Sequence, residues 1–232
     1  MIAQKDKLLP SQPYFSKLYS DSENISDGIA AVADLFSKDF SHDSLNLIAP
    51  TTVPLSEMST PALQVAFMCF LIRMKKAKRV LEIGTFVGAT TLLLARAVGL
   101  DGKVTTIEFG KEFYELALRN FDNNPEGRLV TALNGDACDL VETLPKNHFD
   151  LIFIDGSKEN YQRLLISSET LISQDGIIVI DDIFFHGDAL NKQPNTEKGK
   201  GCRKVLDYCI SVRSLTATLL PVFNGILLLE RA

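Results

Sequence analysis

From Arg79 to the C-terminus, short runs of β-branched and aliphatic residues alternate with stretches of helical spacing, and this alternation constrains the fold more than any other feature. The runs predicted as strands are Arg79–Ile83, Lys103–Glu108, Arg128–Leu133, Phe149–Asp155 and Ile177–Ile180. The segments between them predict helices around Thr90–Val98, Glu112–Asn123, Ala137–Leu144 and Glu159–Ile172. Such a succession implies right-handed crossovers and a mainly parallel sheet with helices on both faces. After a helix near Lys200–Val212 come two more strands, Leu215–Leu220 and Ile226–Glu230. They flank Phe223-Asn224-Gly225, and Asn-Gly is a strong hairpin signal. The expected fold is therefore α/β: a Rossmann-like, doubly wound, mainly parallel seven-stranded sheet ending in an antiparallel hairpin.

Upstream of Arg79 the chain reads as helix and loop. Ile29, Val32, Ala33, Phe36 and Phe40 recur at helical spacing behind a candidate cap at Ser26/Asp27. Thr60-Pro61 then opens a helix from Ala62 to about Lys76, with Pro61 suited to its first turn. That helix is apolar nearly all round, which predicts burial in the domain or in a subunit interface. With 232 residues, 46% of them hydrophobic, the chain suits one domain. Residues 61–232 would form its core, and residues 1–60, including Tyr14, Phe15 and Tyr19, a lid or dimer segment. A formal net charge of −5 argues against broad binding to nucleic acid phosphates. Cys69, Cys138, Cys202 and Cys209 show no CxxC pair and no metal-finger spacing, so reduced thiols are expected. Met1 to Pro10 lacks the apolar core of a signal peptide, and the apolar run Ala62–Met74, broken by Gln64 and Arg73, is too short to cross a bilayer. The expectation is a cytoplasmic protein without membrane or nucleic acid partners.

The first strand runs into Glu82-Ile83-Gly84-Thr85-Phe86-Val87-Gly88-Ala89-Thr90 and then a helix. Ligands of open α/β sheets bind beyond the carboxyl ends of the strands, where strand order reverses. Gly84 permits a tight turn and close approach of a ligand, and Gly88 and Thr90 begin a helix whose free N–H groups face it. Two glycines alone also fit an ordinary strand–turn–helix corner. Phe86 stands where a dinucleotide fingerprint needs its second glycine, which disfavours an NAD-dependent oxidoreductase. Glu108, ending the second strand, is placed to accept hydrogen bonds from ribose hydroxyls, or is simply an exposed acid at a strand end. Gly135-Asp136-Ala137 forms a candidate adenine wall.

The fourth predicted strand ends in Asp155, and the fifth is followed by Asp181-Asp182, so three carboxylates arrive at one sheet edge. Such acids often cap helices or make turns. Clustered and unpaired, they would repel one another and raise each other's pKa. A hard divalent cation removes that problem: Mg²⁺ first, with Mn²⁺ or Ca²⁺ as alternatives.

The segment Glu82 to Thr90 is similar to motif I of the cation-dependent O-methyltransferases, the caffeoyl-CoA and catechol O-methyltransferase family. Asp155-Gly156-Ser157-Lys158-Glu159-Asn160-Tyr161 resembles that family's D-x-x-K-x-x-Y segment, and Asp181-Asp182 falls where it usually has Asp-Asn. The likeness covers residues 55–232, and Ala89 and Asp182 depart from it. It implies S-adenosylmethionine contacts at Thr60, Glu82, Gly84, Thr85, Thr90, Glu108, Ala137 and Asp155. It also implies metal ligands at Asp155, Asp181 and Asp182, with Lys158 beside the reacting hydroxyl of a small phenolic acceptor. A homodimer is the implied assembly. Lys158 would take the acceptor's proton if burial and the cation lower its pKa. Phe184-Phe185-His186-Gly187 is expected to line the acceptor pocket; the basic stretch Asp188 to Lys204 reads as a mobile solvated loop or, alternatively, as attracting an anionic acceptor such as a CoA ester. A catalytically silent S-adenosylmethionine-binding module is the other alternative; the acid trio and Lys158 weigh against it.

Overall fold

The computed structural model describes residues 32, 33 and 35–232. The cap at Ser26/Asp27, Ile29 of the first apolar stripe, and Tyr14, Phe15 and Tyr19 lie outside these residues. Seven strands form one sheet in the order β3-β2-β1-β4-β5-β7-β6. They are β1 (Arg79–Ile83), β2 (Lys103–Glu108), β3 (Val130–Asn134), β4 (Phe149–Ile154), β5 (Ile172–Ile180), β6 (Leu215–Leu220) and β7 (Ile226–Arg231). β1 to β5 pair in parallel, and β7 runs antiparallel to both β5 and β6. Strand order reverses between β1 and β4, which puts the ligand-binding crevice of an open sheet at their carboxyl ends.

The helices are α1 (Leu55–Met58), α2 (Ala62–Lys75), α3 (Ala89–Val98), α4 (Lys111–Asp122), α5 (Ala137–Leu140), α6 (Tyr161–Leu171) and α7 (Glu197–Ser211). Strand alternation divides the core into two layers. Val80, Val104, Leu151, Phe153 and Val179 face Val65, Met68 and Ile72 of α2 and Leu94 and Val98 of α3. Leu81, Ile83, Ile152, Ile154, Ile178 and Ile180 face the other way, onto Leu164 and Leu165 of α6 and Cys202 and Val205 of α7. α2 buries one face in the domain and leaves Leu63, Phe70 and Met74 exposed, so the domain covers only part of a helix whose composition predicted burial in the domain or in a subunit interface.

Where element boundaries differ from the sequence reading, local chemistry explains the shift. β5 starts at Ile172, because Ile172 already pairs with Phe149; the polar Ser173–Gly176 stretch bulges out of register before pairing resumes at Leu151 and Ile177. β3 starts late because Pro125–Leu129 closes into a 3₁₀ turn. Pro61 is the N-cap of α2 and not its first residue. α7 begins at Glu197 because the Thr196 side chain accepts a hydrogen bond from the Gly199 N–H, a standard N-cap.

Candidate functional site

A cleft of about 930 Å³ opens along the carboxyl ends of β1, β2, β4 and β5. Its first half is built on the β1–α3 corner. Gly84 has φ +101°, and a Cβ there would stand 2.2 Å from the Asp155 carbonyl oxygen, so only glycine fits. Gly88 has φ +86° and N-caps α3, with the Phe121 ring where its Cβ would be. Between them Phe86, at φ +51°, turns its ring toward Phe113 at a centroid distance of 5.0 Å. Glu108 fastens this corner: one carboxylate oxygen accepts from the backbone N–H of Thr85 (3.2 Å) and Phe86 (2.8 Å), the other from Gly110 (2.8 Å). Thr90 donates through its hydroxyl to Thr60 across the N-termini of α3 and α2. Gly84, Thr85, Thr90, Thr60, Glu108, Asp136 and Ala137 all line the cleft.

Glu82 does not. Its alternation with Val80 turns it into the sheet–α3 layer, fully buried, where one oxygen accepts from the hydroxyls of Thr91 and Thr106. Its second oxygen has no partner among the described residues. Burial, above all, pushes its pKa up to about 7. Sequence reasoning placed it in the first contact layer of a ligand; it stands beneath that layer. Phe109 and Phe113 were missed, yet both line the cleft, and Phe109 is 78% exposed. Their signal lay in two aromatics flanking the Glu108 turn.

The second half of the cleft holds the acids. Leu151 pairs with Ile177 and Phe153 with Val179, so one more step along both strands sets Asp155 against Asp181 on the same face. Neighbouring parallel strands run about 4.8 Å apart, too close for two bare carboxylates. Burial, and then the charge of Asp181, hold the Asp155 carboxyl well above the usual carboxylate range. Burial likewise raises Asp181. Asp182 would point to the opposite face in a continued strand. It adopts a left-handed φ of +53° instead, and its carboxylate meets the Lys158 ammonium at 3.1 Å. Lys158 also stands 3.7 Å from Asp155, over the ring of fully buried Tyr161. Burial pulls the Lys158 pKa down, but Asp155 and Asp182 outweigh it, and the net shift is upward. The expected lowering of the lysine pKa was tied to burial together with a cation; burial alone does not produce it here, because the acids stabilise the lysine charge more than burial opposes it.

Among the described residues, no three or more His, Cys, Asp or Glu side chains are grouped as a ready metal centre, and the Lys158 ammonium pairs with Asp155 and Asp182. The donor set nevertheless fits a hard dication. All three candidate ligands are oxygen donors, and one ammonium leaves a surplus of negative charge in a largely buried setting. Gln64 of α2 was also missed by the sequence reading, which saw only a break in an apolar run. It is 1% exposed, and neither amide atom makes a hydrogen bond of normal geometry. It lies close enough to Asp181 to be the strongest influence opposing the burial that raises that acid.

Acceptor-side expectations divide. Phe185 and His186 line the cleft, whereas Phe184 packs behind them against Gly225 of the hairpin. The stretch from Asp188 is largely exposed, as a solvated segment would be, but it is not a loop throughout: from Glu197 it is α7. The Asp188 carboxylate accepts from the backbone N–H of Asn195 and of Thr196 and from the Thr196 hydroxyl, clasping the segment to the start of α7.

A parallel sheet with an antiparallel end hairpin, a glycine-shaped β1–α3 corner and an acid–lysine cluster at one edge define an α/β protein with a ligand cleft at the carboxyl ends of its strands. Residues 37–232 match the O-methyltransferase family model, and the chain belongs to that family. It is 33% identical over 151 residues to a catechol O-methyltransferase of Mycobacterium tuberculosis, covering 65% of this chain and 69% of that protein. The O-methyltransferase TomG of Streptomyces achromogenes, solved in complex with S-adenosylmethionine, superposes with a TM-score of 0.72 at 26% identity over 94% of each chain. A methyltransferase of Podospora anserina, solved with S-adenosylhomocysteine, shares the fold at a TM-score of 0.76 and 22% identity over 97% of this chain and all (100%) of that one. The protein is an O-methyltransferase.

Proposed function

We propose that the protein transfers the methyl group of S-adenosylmethionine to a hydroxyl of a small catechol-like phenolic acceptor, assisted by a divalent cation held at Asp155, Asp181 and Asp182. The observation that carries this reading is the pairing of the Lys158 ammonium with Asp155 and Asp182, with Asp181 set beside Asp155 by strand register, at the edge of the glycine-shaped corner. The two solved relatives with bound donor or product, and the curated catechol O-methyltransferase, support the donor and the acceptor class.

The adenosyl end of the donor would lie against Phe109, Ala137 and Glu108, and its amino-acid end against Gly84, Thr60 and Thr90. The acceptor oxygen attacks the methyl carbon in line with the C–S bond; the O–CH₃ bond forms as that bond breaks, and the sulfonium leaves as a neutral thioether. A phenol with an ordinary pKa near 10 is mostly protonated at neutral pH and is a poor nucleophile. Asp155, Asp181 and Asp182 would hold the divalent cation, which when bound would supply positive charge that stabilises the phenolate and favours the neutral form of Lys158. Lys158 Nζ then takes the hydroxyl proton, and Asp182 keeps that nitrogen in position. Glu82, beneath the corner, keeps the β1–α3 turn rigid through Thr91 and Thr106.

Methyl transfer to catechol should require Mg²⁺ or Mn²⁺ and be abolished by EDTA. Lys158→Ala should lower kcat by about 10²-fold or more, the usual scale of a lost general base, while S-adenosylhomocysteine binding measured by calorimetry stays intact. Full activity in EDTA would remove the cation from the reading and leave Lys158 as a stationary positive charge, the second reading that its ion pair with Asp182 favours.

A further inference from the structure

Residues 45–48 form a short strap ahead of α1. Leu45 is extended (φ −120°, ψ 155°), and exposure alternates from there: Leu45 and Leu47 are half-buried, Asn46 and Ile48 exposed. The two leucines pack against Leu92, Ala117 and Phe121. The strap's backbone is paired by side chains in place of a strand. The Asn124 amide accepts from the Asn46 N–H and donates to the Asn46 carbonyl, both at 3.0 Å. The Asn120 amide accepts from the Ile48 N–H at 2.7 Å and donates to the Ile48 carbonyl at 3.2 Å. Four residues of helix rise about 6 Å and two residues of extended chain about 6.6 Å, so asparagines four apart can copy the edge of a strand.

Asn120 does more than hold the strap. It is fully buried on the face of α4 that carries Leu116, Ala117 and Phe121, where an unpartnered amide would be costly. Its amide nitrogen also donates to the Val87 carbonyl at 2.9 Å, so one side chain joins the Ile48 backbone to the turn between Gly84 and Gly88. Asn124 instead gives its other N–H to the Asn120 backbone carbonyl at 2.7 Å. The turn is thus gripped residue by residue. Glu108 accepts from the N–H groups of Thr85 and Phe86, Asn120 donates to Val87, and the Phe121 ring fills the place of a Gly88 Cβ. Phe86 holds its left-handed φ of +51° in the middle of this grip, a setting that persists only where the surroundings impose it. Thr85 and Phe86 line the cleft.

We infer that Asn120 is a positioning residue for the sulfonium donor, and that residues 45–48 act through it on the donor affinity of the corner. The strap then has a role apart from covering the cleft or joining a second copy. This rests on the S-adenosylmethionine reading of the site.

Calorimetric titration with S-adenosylhomocysteine tests it on three variants of the full chain. Asn120→Leu removes the bridge. Asn124→Leu loosens the strap without touching the turn. Ile48→Pro deletes the N–H that the strap gives to Asn120 and leaves α4 and the turn as they are. Asn120→Leu should raise Kd about tenfold or more, the scale of a buried hydrogen-bonding group left unsatisfied. Ile48→Pro should raise it about threefold or more, and Asn124→Leu less than about twofold while lowering the melting temperature about as much as Asn120→Leu. The kcat at saturating donor and the acceptor KM should stay within about twofold of wild type throughout. An unchanged Kd in Asn120→Leu, equal weakening by Asn120→Leu and Asn124→Leu, or a wild-type Kd in Ile48→Pro overturns the inference. Should thermal melts show that Asn120→Leu does not fold, Ile48→Pro decides. A wild-type protein that binds no S-adenosylhomocysteine overturns the donor reading, and the inference with it.

Discussion

A buried carboxyl with one oxygen unpartnered is costly to ionise, and Glu82 is such a group. Its pKa of about 7 in the fold, against 4.5 as its ordinary value, means that the folded state keeps a proton the unfolded chain has lost. Stability attached to this group is therefore fully present below about pH 4.5 and disappears as pH rises toward 7. Asp155, also raised by burial, acts in the same direction. The melting temperature should fall between pH 5 and pH 8, and Glu82→Gln should flatten that fall, by an amount worth a few (~2–4) kcal/mol at most. A second residue-scale prediction concerns Gln64, whose buried amide lacks normal hydrogen bonds. Replacing an unsatisfied buried polar group by an apolar one of similar shape is neutral or stabilising. Gln64→Leu should leave the melting temperature unchanged or higher, yet lower kcat/KM about tenfold or more, because Asp181 loses its neighbour. A fall in both would make Gln64 a structural residue only.

At the scale of elements, the β1–α3 corner and the loop after β5 do most to shape the cleft. Gly84 leaves no room for a side chain, because the atom opposing it is backbone of β4's end and cannot rotate away. Gly84→Ala should destabilise the protein by roughly 2–5 kcal/mol, the range for strain at a special φ with a backbone clash. Gly88→Ala meets a side chain, the Phe121 ring, which can shift. Urea titration should show the smaller loss there, with weakened S-adenosylhomocysteine binding as its main effect. The loop after β5 was legible only as a row of residue types. Nothing in Asp181-Asp182 says that the second acid turns back toward Lys158; its left-handed φ decides that, with its carbonyl accepting from Cys202 of α7 and its carboxylate paired with Lys158. The Asp188 clasp was illegible for a related reason: an acid in a basic stretch shows no specific partner until Asn195 and Thr196 fold onto it.

For the molecule as a whole, the cleft and the core share elements, so ligand and fold are coupled. Gly84, Thr85 and Glu108 touch both the cleft and the strands behind it, and Thr60 and Thr90 tie α2 to α3 at the cleft's edge. S-adenosylhomocysteine at 100 times its Kd should add about 2.7 kcal/mol of stability. For a chain of 232 residues that corresponds to a rise in melting temperature of roughly 5–11 °C, measurable by scanning calorimetry. No rise at saturating ligand would detach the cleft from the donor. No helix among the described residues is long and apolar enough to cross a membrane.

The order of strands and helices, the hairpin at Asn224-Gly225, the glycines of the first corner and the three acids at one edge were all readable from the chain, because each depends on local periodicity, turn chemistry or position at a strand end. Which of those side chains face the cleft was decided only in three dimensions. Glu82 alternates inward, Asp155 and Asp181 come together through register, and Lys158 moves between the acids because neutralising buried charge is favoured over leaving it bare. Gln64, Phe109 and Asn120 gained their places the same way: local pattern fixes the element a residue belongs to, but contact across elements is set by how the helices pack on the sheet.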